Sequence, residues 1–180
     1  MKTLILAKIQ NDAFWLDEWI EWHLSLGNVE ILLFDINKGK TDYPMSDYAI
    51  MKCAEKKVKV KNFRNRDVSL EDEIKKTDRS KYSFAICIGI DEYIAVCENE
   101  TFDSILEKNK KSLSLKVVPF SLNDGAKKIA LERYGSYSDI KLECLSSFSI
   151  GNCESIFIEK YFDRTKEEWK KHIEMENEDT

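Results

Sequence analysis

Two acidic side chains stand together at Asp91 and Glu92, directly after the apolar run Ser83–Ile90 (SFAICIGI). A desolvated carboxylate is costly unless it is paired or bound to a cation, so adjacent acids closing a buried strand have two readings. In one, Asp91 and Glu92 hold a divalent cation that neutralises a diphosphate. In the other, Asp91 opens a turn and Glu92 is solvated. A second polar set, Asn11, Asp12, Asp35 and Asn37, brackets the helix-like segment 13–27 and the apolar segment that follows it. If these segments are a strand, a helix and a strand, all four polar residues fall on one rim, beyond the strands' carboxyl ends. Ligands of open α/β sheets bind there.

The elements that would position this rim can be read from the pattern. Met1–Ile9 has the leucine and β-branched character of a buried strand, and so does Glu30–Phe34. Asp12 can accept from the orphan amides of the helix between them, and Gly27 sits where that helix stops. Such a unit is a parallel βαβ crossover. Further along, the pattern predicts a polar loop over Asn37–Tyr43, a helix over Met45–Cys53 and a half-exposed strand over Lys57–Phe63. Helices follow over Ser69–Thr77 and Phe102–Asn109, with an extended segment over Leu113–Phe120. Leu122–Tyr137 is read as a glycine turn with a short helix, and Ile140–Phe162 as two strands. Thr165 and Glu168 form the capping box of a last helix. Strands alternating with helices predict an α/β fold whose mainly parallel central sheet is flanked by helices. One domain over 1–173 and a disordered acidic tail over 174–180 are expected.

Composition excludes several classes. A chain of 180 residues and 21.1 kDa with 43% hydrophobic residues is long enough for a sizeable core. A net charge of -5 argues against nucleic-acid binding, which is driven by basic surfaces. No apolar run approaches the roughly 20 residues of a membrane span, and no signal-type core opens the chain. Five cysteines without CxxC spacing read as reduced thiols in a cytoplasmic protein. The absence of a GxxxxGK[ST] loop disfavours a P-loop kinase or GTPase.

Four blocks resemble one family. NDAFWLDEWIEWHLSLGNVEILLFDIN is similar to the opening of DUF23-like, family-92-type glycosyltransferases, where KNE precedes EWIEYHLxLG and an apolar strand ending YDN. FAICIGIDEY resembles their strand ending DxDEF, KVVPFSLNDG their WxxFGxxG segment, and IEKYFDRTKEEWKKHI their late NHYFxxSxEEF segment. The blocks keep the family's order across nearly the whole chain. The resemblance implies a GT-A fold and sugar transfer, with inversion, from a nucleotide-diphosphate donor to a glycan or lipid-linked glycan. It sets Gln10, Asn11 and Asp12 near the nucleotide, Asp35 against the base and Asn37 near the ribose. Asp91 would meet metal and diphosphate, with Glu92 beside it.

Three departures qualify what is implied. Gly89 stands where the family has the first DxD aspartate, Lys160 where it has the late histidine, and Asp12 where it has glutamate. An acid is lost and a positive charge gained, so manganese or magnesium at Asp91 and Glu92 becomes doubtful. Lys160 is then a candidate replacement for the cation beside the diphosphate. The same changes raise an alternative: a degenerate relative that holds nucleotide, glycan or a protein partner without chemistry. For the acceptor-side base, which inverting transfer requires, Asp124 and Glu132 are candidates. Asp124 also reads as a turn residue and Glu132 as a partner of Arg133. His23 reads as a packed histidine bonded to backbone, and Trp15, Trp19 and Trp22 as core or lid aromatics, with sugar stacking as the alternative. Lys56, Lys57, Lys59 and Lys61 form a basic stripe, either solvated or suited to peripheral contact with an anionic membrane or acidic acceptor.

Overall fold

The computed structural model describes residues 1–9, 13–36, 47–63, 68–120 and 138–161. β1 (Thr3–Ile9), α1 (Ala13–Ser25) and β2 (Val29–Asp35) form the expected parallel crossover, with Thr3 opposite Val29 and Ile9 opposite Asp35. Both faces of β1 are buried: Ile5, Ala7 and Ile9 join the larger core cluster, and Leu4 and Leu6 the smaller one. This two-sided burial is why the strand reads as a continuous apolar run rather than an alternating one. Gly27 ends α1 at a φ of 129°, and a Cβ there would collide with the Asp103 carboxylate. That carboxylate accepts the Asn28 amide at 3.2 Å. Glycine is therefore required both by backbone conformation and by close approach.

The chain continues through α2 (Asp47–Ala54), β3 (Val58–Asn62), α3 (Leu70–Lys75), β4 (Phe84–Cys87), β5 (Glu92–Val96) and α4 (Phe102–Lys108). After these come β6 (Ser112–Leu115), β7 (Val117–Phe120), β8 (Ile140–Cys144), β9 (Ile150–Asn152) and β10 (Ile156–Tyr161). A seven-stranded sheet runs β3-β2-β1-β4-β8-β6-β9, and a three-stranded sheet runs β5-β10-β7. From β3 to β4 all pairs are parallel, while β8 lies antiparallel to both β4 and β6. This is an α/β fold with a large central sheet flanked by helices. Ser69 caps α3 by accepting the Asp72 amide, and Thr101 with Ser104 forms a capping box on α4.

The structure corrects the expected elements in four places. The strand expected over Ser83–Ile90 ends at Cys87, so the acids follow a short loop instead of the strand itself. The extended segment expected over Leu113–Phe120 breaks at Lys116 into β6 and β7, which belong to different sheets. Three strands, not two, occupy the segment from Ile140. β5 was not expected at all. The readings of 122–137, of the capping box at Thr165 and of the tail over 174–180 lie outside the described residues, as does Asp12 at the start of α1. The five cysteines are free thiols, and among the described residues no helix is long and apolar enough to cross a membrane.

β5 is an edge strand, bonded to β10 on one side only. On its other side stand α1 side chains. Trp19 Nε1–H is shared between the carbonyls of Gly89 at 3.1 Å and Glu92 at 2.9 Å, and Trp22 Nε1–H donates to the Ile94 carbonyl at 2.9 Å. His23 Nε2 accepts the Ile94 amide at 3.3 Å, which leaves the proton on Nδ1, bonded to the Trp19 carbonyl at 2.8 Å. His23 is fully buried, and burial lowers its pKa to about 3 against the weaker opposing effect of the Trp19 carbonyl. Unfolding frees it to bind a proton near its ordinary value of about 6.5. The unfolded state therefore binds more protons between about pH 6.5 and 3, and the His23 contribution to stability is whole above that window and falls with pH inside it. Wild type should lose about 2–3 kcal/mol more stability than His23→Gln between pH 6.5 and 4.5, read by urea denaturation. Parallel pH profiles for the two proteins would contradict this.

Candidate functional site

The site begins where β4 leaves the large sheet. Leu6 is the last β1 partner of β4, opposite Cys87, and the Ile88 amide still reaches the Leu6 carbonyl at 3.1 Å. The chain then turns over Gly89, Ile90 and Asp91 into β5 of the second sheet. The Glu92 amide closes the turn on the Gly89 carbonyl at 3.1 Å. Glu92 Oε2 reaches back to accept the Gly89 amide at 2.7 Å. With Trp19 holding both carbonyls from α1, this loop is fixed from two sides.

Lys160 enters from β10, whose register sets it opposite Glu92. Its Nζ donates to Glu92 Oε1 at 2.9 Å and lies 3.2 Å from Asp91 Oδ2. The Tyr161 amide donates to the Asp91 carbonyl at 2.9 Å, so backbone and side chain both tie β10 to the loop. Burial works against the charge on Lys160, but Glu92 and Asp91 outweigh it and hold the ammonium above its ordinary pKa. The lysine is a cation at any physiological pH. The reading of Glu92 as a solvated acid is thereby corrected: its side chain is 12% exposed and both its oxygens are engaged. Asp91, at 36%, is the exposed member.

Gly89 is accounted for by proximity. A Cβ there would stand 2.5 Å from Asp91 Oδ1 and 3.6 Å from Glu92 Oε2. The two carboxylates fold back over position 89. A divalent cation needs several oxygen ligands. Here an ammonium already lies between the two acids, and no group of three Asp, Glu, His or Cys side chains among the described residues could hold an ion. The described donors do not fit a divalent-cation site.

Asp35 closes β2 and pairs with Ile9 of β1 and Asn62 of β3. It sits at the same carboxyl edge as the Gly89–Glu92 loop. By strand alternation it shares the α1 face with Ile31 and Leu33. Since β1 separates β2 from β4, the strands carrying Asp35 and the loop are two spacings apart, roughly 10 Å. Gln10, Asn11, Asp12, Asn37, Asp124 and Glu132 lie outside the described residues.

Trp19 and Trp22 act through their indole N–H groups on backbone, and His23 does as the sequence reading expects, bonding backbone on both nitrogens. Tyr93, which with Glu92 completes the motif-like segment in the sequence reading, joins them: its ring stacks on His23 at 5.7 Å, meets Trp22 edge-on at 6.0 Å and contacts Tyr161 at 4.8 Å. Of the basic stripe, Lys59 pairs with Glu30 and Lys61 with Glu73. Lys57, Lys59 and Lys61 flank or occupy an edge strand, where lysines discourage pairing with another chain.

Reversal of the two departures tests the alignment of both segments. Gly89→Asp alone must push Asp91 aside, and Lys160→His alone leaves two acids without their cation. The double variant Gly89→Asp/Lys160→His should bind manganese more tightly than the two single gains predict, because ligands of one ion are non-additive. Isothermal titration with manganese reads this directly, and a double variant no better than wild type contradicts the alignment.

No family model matches the chain, and a search of curated proteins finds no match. Among solved structures the chain is similar to a crystal structure of S. aureus TarS, with a TM-score of 0.47 and 15% identity over 68% of this chain and 22% of that one. It is similar to TarS 1-349 at a TM-score of 0.45, with 15% identity over 68% of this chain and 37% of that one. TarS 1-349 in complex with UDP-GlcNAc gives a TM-score of 0.43, again at 15% identity, over 68% of this chain and 36% of that one. The chain thus spans between 22% and 37% of the length of these proteins. At such identity and scores the likeness says nothing of what this chain binds.

Proposed function

We propose that this chain is a GT-A-type glycosyltransferase domain that takes a nucleotide-diphosphate sugar at the carboxyl edge of its parallel strands. In this proposal Lys160 stands in for a divalent cation beside the diphosphate. The observation that carries the reading is the placement of the Lys160 ammonium between Asp91 and Glu92. A positive charge stands where the family resemblance implies a metal and its phosphates. Four sequence blocks in family order support the same reading, as does the shared edge of Asp35 and the Gly89–Glu92 loop.

The chemistry follows from charge. In inverting transfer an acceptor hydroxyl attacks the anomeric carbon, its proton passes to a carboxylate base, and the nucleoside diphosphate departs with the bonding pair. Stabilising the departing diphosphate is the main electrostatic task. A lysine kept charged by two acids supplies a fixed cation there without the ligand set a metal needs. Asp35 accepts a hydrogen bond from the base, Gln10, Asn11, Asp12 and Asn37 line the nucleotide, and Asp124 or Glu132 removes the acceptor proton. A glycan or lipid-linked glycan is the proposed acceptor.

A second reading is binding without turnover, favoured by one observation. Among the described residues two carboxylates share one ammonium, which leaves no surplus positive charge to stabilise a departing diphosphate.

Transfer or donor hydrolysis in excess chelator separates the two. Chelator-resistant activity that falls roughly 10²–10³-fold in Lys160→Ala supports the lysine's role, that being the scale of removing one oxyanion donor. Activity abolished by chelator, or unchanged by the substitution, overturns it, and nucleotide binding with no turnover in any buffer favours the second reading. In equilibrium titration with a panel of nucleoside diphosphates, Asp35→Ala should lose base discrimination worth about 1–3 kcal/mol. Undiminished discrimination would remove Asp35 from the nucleotide site.

A further inference from the structure

At the amino edge of the parallel strands, the far end from Asp35 and Asp91, three lysines close on one buried carboxylate. Glu30, the second residue of β2, is 6% exposed. Lys2 precedes β1, Lys59 lies on β3, and Lys81 and Tyr82 precede β4, so the group is assembled from four neighbouring strands. Lys2 Nζ stands 2.5 Å from Glu30 Oε1. Glu30 Oε2 accepts from the Tyr82 hydroxyl and has Lys81 Nζ at 3.0 Å and Lys59 Nζ at 3.6 Å. Burial alone would raise the Glu30 pKa. The bonds from Lys2, Tyr82 and Lys81 override it and hold the carboxyl at about 2.

One ammonium is enough to neutralise one carboxylate. Three leave a surplus of two positive charges within a few ångströms, in a chain whose net charge is -5. The surplus faces solvent, because the side chains of Lys59 and Lys81 are 49% and 40% exposed. Lys59 stands beyond hydrogen-bond length from the carboxylate, and Lys81, pressing on it, brings its pKa below the ordinary lysine value. Like charges crowded this way are costly, and a bound anion relieves the cost. Protection of an open sheet edge accounts for Lys59 on β3. It does not account for Lys2 and Lys81, which flank interior strands.

We propose that Lys2, Lys59 and Lys81, gathered by Glu30, form a binding site for a phosphate-class dianion, supplied either as a free phosphate group or as the head group of an anionic phospholipid. The site is separate from the donor end of the sheet and does not depend on the glycosyltransferase reading.

The test uses the whole chain with two probes. Inorganic phosphate is titrated against sodium chloride of equal ionic strength, with amide chemical shifts as readout. Cosedimentation compares phosphatidylcholine vesicles with and without phosphatidic acid. Phosphate binding, or sedimentation that requires phosphatidic acid, is the expected result and assigns the source as soluble or lipid. Lys59→Ala/Lys81→Ala should weaken whichever is seen roughly tenfold or more, the scale of losing a charge-assisted hydrogen bond. Lys59→Gln, a change on an exposed edge side chain that keeps the fold, should weaken it in part, and Lys160→Ala should leave it unaltered. Binding by neither probe, binding that survives the double substitution, or binding lost instead with Lys160 overturns the proposal.

Discussion

The structure depends on how the open edge of β5 is closed. An edge strand packed against the interior presents amides and carbonyls that cannot be left unpaired, each unmade bond costing about 1–3 kcal/mol. Here the missing strand is replaced by three side chains of α1. Trp19 serves the carbonyls of Gly89 and Glu92, Trp22 serves the Ile94 carbonyl, and His23 takes the Ile94 amide. The same contacts dock α1 against β5 and hold the loop that carries Asp91 and Glu92. A helix thus fixes the site from behind while β10 fixes it from the side, through Lys160 and the Tyr161 amide. The neutral His23 follows from this role, since only an unprotonated Nε2 can accept from Ile94.

Among the described residues, the two ends of the parallel sheet balance acid and base in opposite ways. At the carboxyl edge one ammonium serves two carboxylates, and the cluster is left negative. At the amino edge three ammonium groups serve one carboxylate, and the cluster is left positive. Neither arrangement is the minimum for burying a charge, which a single pair with good geometry would satisfy. Surface ion pairs such as Lys75 with Asp72 are worth little by comparison, being open to water on every side.

Much of the frame was legible in the chain, and the reasons are local. β1, α1 and β2 are consecutive, their apolar runs are continuous because both faces are buried, and Gly27 marks the turn between them. The neighbourhood of Asp35 and the 91–92 pair followed from the same logic of strand ends. What escaped was set by distant partners. β5 (EYIAV) is short, follows Asp91 and itself opens on an acid, and it is a strand only because β10 lies beside it and α1 covers its edge. The break at Lys116 has no turn residue to announce it, because the chain there changes sheets without reversing. Trp15 and Trp19 lie in the core as the sequence pattern predicts, but the backbone acceptors of the Trp19 and Trp22 indoles stand seventy or more positions away and carry no local signal. Lys160 stands out in the sequence only by its residue type, and its contact with Glu92 comes from a strand register that no local signal encodes.

The asymmetry within the acidic cluster says which contact would change if, as proposed, a diphosphate binds there. Glu92 is anchored twice, by the Gly89 amide on one oxygen and Lys160 on the other, and its side chain is the more buried. Asp91 is more exposed and meets Lys160 at the longer distance, 3.2 Å against 2.9 Å. Turning Asp91 outward also removes the carboxylate oxygen that would meet a Cβ at position 89. The Lys160–Glu92 pair would then stay as a neutral unit, and the excess negative charge among the described residues would leave with Asp91. A lysine held this way keeps its proton without coordinating anything, which lets one short loop and one strand carry a positive charge at a place where the described residues cannot assemble the ligands of a metal.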